Sequence, residues 1–121
     1  ACRRCFFLRI CDMALERTTF DVIPAALVGG GQAGAPQIRP QSMTRITAVA
    51  TAADSVMLPS ALPGSLVFVQ NAAAANACAV FPAKGDAINA GAADAVLSVA
   101  AAGNVIFFCA VAGKWAAVVS G

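Results

Sequence analysis

The sequence predicts an all-β fold: a small antiparallel β-sandwich or barrel-like domain with an extended N-terminal arm. Three observations predict it. From Thr44 onward, turn signals recur about every 8–12 residues between runs rich in Val, Ile and Phe, the spacing of sandwiches and small barrels. Gly, Pro and Asn interrupt every window long enough for a helix, which outweighs the helix propensity of the many alanines. Finally, Asn104 to Ala112 reads as a strand apolar on both sides. Val105, Phe107, Cys109 and Val111 share one face, and Ile106, Phe108 and Ala110 the other.

A strand apolar on both faces is covered on both sides. In a chain of 121 residues one cover is its own core, and the other is expected to be another chain. Composition agrees. Hydrophobic residues make up 60% and charged residues 12%, against roughly 25% charged in an ordinary soluble domain. Mean hydropathy is +0.77. With so few charges, exposed β edges need self-association to protect them. The expected subunit-interface residues are Leu66, Phe68, Val105, Phe107, Cys109, Val111 and Trp115.

Taken in order, residues 1–12 hold an apolar core of only Cys5 to Leu8 before Arg9, too short for a signal peptide or a membrane span. Met13-Ala14-Leu15-Glu16 has the look of a natural start, which would make residues 1–12 an upstream extension. Residues 14–43 carry Pro24, Pro36 and Pro40 around Gly29-Gly30-Gly31-Gln32-Ala33-Gly34, which excludes a helix and allows one short extended segment from Phe20 to Leu27. Residues 1–43 are therefore assigned as the arm, and 44–121 as the assembly domain. The arm would dock on a neighbouring protein through Phe20, Val22, Ile23, Leu27 and Arg39.

Short strands follow at Arg45 to Thr51, Asp54 to Leu58 (stopped by Pro59) and Ser65 to Asn71. Pro63-Gly64 supplies the two central residues of a type II turn. Further strands span Ala77 to Phe81, Asp86 to Asn89 and Ala95 to Val99, separated by Lys84-Gly85-Asp86 and Ala90-Gly91. Ala102-Gly103-Asn104 turns the chain into the long apolar strand, and Gly113 turns that into Lys114 to Val119.

Net charge is +2, with residues 1–45 basic and the remainder slightly acidic. That bias is too thin for a nucleic-acid protein, which shows a dense basic stripe. Of the five cysteines, Cys78 and Cys109 lie in apolar strands and read as buried free thiols. Cys2, Cys5 and Cys11 make half a zinc site at most, because the chain has no His and no second pair at finger spacing. No metal or other cofactor is expected, and a reducing compartment suits the thiols.

Other patterns fail on mechanism. Gly29-x-Gly31-x-x-Gly34, with Asp54 beyond it, fits the dinucleotide fingerprint, but phosphate binding needs a helix directly after the glycines and Pro36 and Pro40 forbid one. Ala95 to Gly113 is uncharged and long enough to span a bilayer, yet Gly103-Asn104 breaks it and its second half is β-branched and aromatic. Without His or Tyr no Ser-His-Asp or Cys-His arrangement exists. Asp54, Asp86 and Asp94 sit beside strand ends or turns, where capping is the default role of an Asp. Asn71, Asn76, Asn89 and Asn104 are expected to cap turns. Trp115 reads as a core or interface anchor, or as a sugar-stacking residue at a receptor-binding tip.

The segments Leu66-Val-Phe-Val-Gln-Asn71, Ala79-Val-Phe-Pro-Ala-Lys-Gly-Asp-Ala-Ile-Asn89, Leu97-Ser-Val-Ala-Ala-Ala-Gly103, Phe107-Phe108 and Lys114-Trp115-Ala-Ala-Val118 together resemble a short β-rich module of tailed-bacteriophage virion proteins. The likeness runs from about Thr44 to the C-terminus and excludes residues 1–43. It implies a non-enzymatic structural protein of the virion, present in the host cytoplasm during assembly, and acting as a homo-trimer. Its place would be capsid decoration (cement) or a short head, neck or tail fibre. Its partners would be its own copies and, through the arm, other virion proteins, with no nucleic acid and no membrane. The resemblance carries no active-site residues.

Overall fold

The computed structural model describes residues 19–120, and within them the fold is all-β, with no helix. Nine strands are formed: β1 (Thr19–Ile23), β2 (Ser42–Ile46), β3 (Ser55–Met57), β4 (Leu66–Asn71), β5 (Cys78–Phe81), β6 (Ala87–Ile88), β7 (Leu97–Val99), β8 (Asn104–Val111) and β9 (Lys114–Ser120). They make two sheets, one in the order β1-β2-β4-β8-β9-β6 and one in the order β3-β5-β7.

The expected antiparallel connectivity is corrected. β1 with β2, β2 with β4 and β3 with β5 all pair in parallel. Closely spaced turns suggest hairpins, but here they carry the chain back and forth between the two sheets, so that like segments stack in parallel. Thr19 pairs with Ser42 and Ser42 with Val67, so each coil takes roughly 24 residues, a solenoid-like winding. Among the named strands, antiparallel pairing enters where the winding ends: β7 on β5, then β8 on β4 and β9 on β8.

The assigned arm is corrected as well. β1 is hydrogen-bonded into the larger sheet, and the boundary between residues 43 and 44 falls inside β2. Leu27 and Ser55 exchange backbone hydrogen bonds of 2.9 and 3.1 Å, and Ile38 N–H donates to the Met57 carbonyl at 2.7 Å. Ile23, Ala26, Ala35 and Ile38 are buried. Residues 19–43 are thus the first coil of the fold. The readings of Cys2, Cys5, Cys11 and the Met13 start lie outside the described residues.

The core fills the space between the sheets. Val67, Val69, Val105 and Phe107 face Val56, Leu58, Val80 and Val99, with Trp115 beside them. Burying side chains of this size stabilises by about 1.5–3 kcal/mol each. Trp115 is completely buried, and its indole N–H donates to the Pro59 carbonyl at 3.2 Å.

Local turn chemistry explains the corners. Ser65 N–H donates to the Leu62 carbonyl at 3.0 Å across Pro63-Gly64, with Gly64 at φ 90°, as a type II turn requires. The corner before β8 divides the work differently. Ala102 takes the positive φ of 61°, whereas Gly103 is needed for space, since a Cβ there would sit 2.9 Å from the Ala100 carbonyl oxygen.

Candidate interaction surface

From Asn104 to Cys109 β8 alternates, but in the opposite sense to the expected interface. Val105, Phe107 and Cys109 point into the chain's own core, while Ile106 and Phe108 point outward, 38% and 42% exposed. Val105, Phe107, Cys109 and Trp115 are therefore corrected from contact residues to core residues. A strand apolar on both sides offers no local sign of which side is inside. The stacking of β3, β5 and β7 behind it decides that.

Of the other interface candidates, Leu66 and Phe68 are partly exposed on the outer face of β4, and Val111 is exposed beside the β8–β9 turn. Among the arm-docking candidates, Phe20 and Val22 project outward from β1. Ile23 is buried in the core, Leu27 is half-buried in the first coil, and Arg39 lies 3.5 Å from Asp21 in an exposed ion pair.

The outward side chains line up. Parallel and antiparallel registers together place Phe20, Met43, Phe68, Ile106 and Val118 side by side across β1, β2, β4, β8 and β9. Leu66, Phe108 and Ala116 form a second row beside them. On the opposite flank Arg45, Gln70 and Asn104 make a polar row. The first apolar row and this polar flank line an open trough of about 460 Å³. A continuous apolar patch on a sheet face, rimmed by polar groups, marks an interaction site.

Met43 escaped the sequence reading because β2 is inside out, and Phe20, expected to dock as part of an arm, instead shares a sheet face with it. β2 buries Ser42 and Thr44 and exposes Met43. The hydroxyls are satisfied: Ser42 Oγ donates to the Arg39 carbonyl at 2.6 Å, and the Ser42 and Thr44 oxygens lie 2.9 Å apart. The signal is the register itself, which sets Met43 between Phe20 and Phe68.

The glycine-rich loop binds a carboxylate of its own chain. Asp54 is buried, and its Oδ1 accepts from Gly29 N–H at 3.1 Å and Thr51 Oγ1–H at 2.6 Å, while Oδ2 accepts from Thr51 N–H at 3.0 Å. The Thr51 hydroxyl, followed by the backbone donors, holds the Asp54 carboxyl below the usual carboxylate range. Asp94 is held low likewise, by Gly85 N–H at 2.7 Å and the Gln32 side-chain amide at 3.0 Å. Asp86 Oδ2 accepts from Ala61 N–H at 2.9 Å. All three aspartates thus tie turns down.

The asparagines divide. Asn71 and Asn89 accept backbone N–H groups from Ala73 and Ala117, and Asn76 donates to the carbonyls of Val49 and Ala50. Asn104 instead sits on the outer face of β8. Burial, aided by the nearby Asp54 charge, pushes the Cys78 thiol up to about 11.

Neither a family model, nor a curated protein, nor a solved structure matches the chain.

The geometry removes Trp115 as a sugar platform and Ala95 to Gly113 as a single helical span. A fully buried Trp115 presents no face for a sugar to stack on. The Ala95 to Gly113 stretch is divided between β7 and β8, and no helix among the described residues is long and apolar enough to cross a membrane.

Proposed function

We propose that this protein is a non-enzymatic structural part of a tailed-bacteriophage particle, a β module that works by packing against other protein surfaces. Its role is capsid decoration or a short fibre at the head, neck or tail. The observation that carries the reading is the exposed apolar row Phe20–Met43–Phe68–Ile106–Val118. Such a surface costs solubility when bare and gains free energy in roughly 25 cal/mol per Å² when covered. The turn and strand pattern shared with phage virion modules supports the same reading, as does the low charge content.

Quantitative mass spectrometry of purified particles tests it. Many copies per particle place the protein over the head, and a few place it at one vertex. Absence of the chain from intact particles defeats the proposal.

A further inference from the structure

We infer that two copies of this chain pair face to face through the outer side of the larger sheet, about a two-fold axis running along β4. The inference rests on the building-part reading above and names the partner of that surface. β4 is the middle strand of the five that carry the row, with β1 and β2 on one side and β8 and β9 on the other. An axis along β4 exchanges β2 with β8 and β1 with β9. Phe68 then meets the partner's Phe68, Met43 meets the partner's Ile106, and Phe20 meets the partner's Val118. Phe20 at one end of the row thus faces the smaller Val118 from the other, and Met43 faces Ile106, close to it in size.

The polar flank selects this axis. Rotation about β4 keeps every row on its like, so Arg45 lies opposite the partner's Asn104, whose side-chain carbonyl accepts from a guanidinium. The two Arg45 side chains are kept apart. An axis along the row would instead set Gln70 over the partner's Leu66 and Asn104 over the partner's Phe108, burying amides against apolar groups. A three-fold ring is heterologous, joins different patches of neighbouring copies and cannot lay this face on itself. The face therefore favours a pair over the trimer that the phage resemblance implies.

Size is sufficient. Five strands span about 24 Å and three rows about 20 Å, so the pair covers on the order of 1,000 Å² in total, the lower bound for a specific interface. Aligned sheets cross at about 30°, which tilts the rows without reordering them. A concentration-dependent dimer follows.

The test uses the full chain with Cys2, Cys5 and Cys11 replaced by Ser. In that background Phe68→Cys cross-links to itself on oxidation, and Phe20→Cys cross-links to Val118→Cys when the two are mixed but not to itself. Phe68→Glu raises the dissociation constant at least about 30-fold by light scattering, with an unchanged circular dichroism spectrum. A trimer, or any oligomer without the Phe68 cross-link, overturns the pairing and leaves the building-part reading standing. A monomer at tens of micromolar whose cysteine at position 68 reacts freely with maleimide overturns the pairing and leaves the building-part reading to the particle count. A monomer in which that cysteine is shielded shows that the chain covers its own face, and overturns the pairing.

Discussion

Phe107 and Trp115 meet edge to face, their ring centroids 6.4 Å apart and their planes at 80°. They are diagonal neighbours across the β8–β9 hairpin, since Trp115 pairs with Cys109 and Phe107 with Ala117. Both are fully buried, so this contact belongs to the monomer's core and not to an interface.

Truncating either ring therefore destabilises the fold of the single chain instead of dissociating an oligomer. Phe107→Ala and Trp115→Ala should each cost about 3–5 kcal/mol in urea denaturation, with a coupling of about 0.5–1.5 kcal/mol in the double-mutant cycle. Phe107→Asp should lose its folded circular dichroism signal altogether, whereas Phe68→Glu keeps it. A folded Phe107→Asp chain would contradict the placement of β8.

Asn71 ends β4 as a buried amide. It donates to the carbonyls of Asn76 at 3.0 Å and Val99 at 3.2 Å, and its oxygen accepts from Ala73 N–H at 3.0 Å. Replacement by Leu, close in size, strands these backbone groups and should destabilise by about 1–3 kcal/mol or more. Equal urea midpoints for the two proteins would show that water replaces the amide.

Acid should loosen the first coil. Asp54 and Asp94 both have folded values below the ordinary 3.8. Their stabilisation is complete above the unfolded value and is lost as pH falls through the lower folded value, in the range below about pH 4. Asp54→Asn should be less stable at pH 7 and show a flatter loss of midpoint between pH 4 and pH 2. An acid limb of unchanged steepness would refute the role of Asp54 as the tie to Gly29.

Cys78 should be inert in the folded protein. With its pKa raised to about 11, the thiol stays protonated at pH 8, and burial blocks access as well. Peptide mapping after iodoacetamide should find Cys78 unmodified in buffer and modified in urea. Alkylation in buffer at the rate of a free thiol would show that the core between the sheets opens.

Much of the strand pattern is legible in the sequence because turn chemistry is local. Pro63-Gly64, Lys84-Gly85-Asp86 and Gly113 each impose a corner whatever surrounds them, and β4, β5, β7, β8 and β9 fall between such corners with ends close to those expected. β2 is displaced. It was expected from Arg45 to Thr51 and found at Ser42–Ile46, because pairing with β1 and β4 overrides the alternation in Thr47 to Thr51.

By itself the sequence determined that the chain is all-β, where most strands start and stop, and that β8 has two apolar faces. Only the tertiary structure decided that Phe107 faces inward and Phe108 outward, that residues 19–43 form a coil, and that Ser42 and Thr44 turn in while Met43 turns out. The physical reason is symmetry. A period-two strand looks the same from either side, and only the path that stacks distant coils in register chooses which side meets the core.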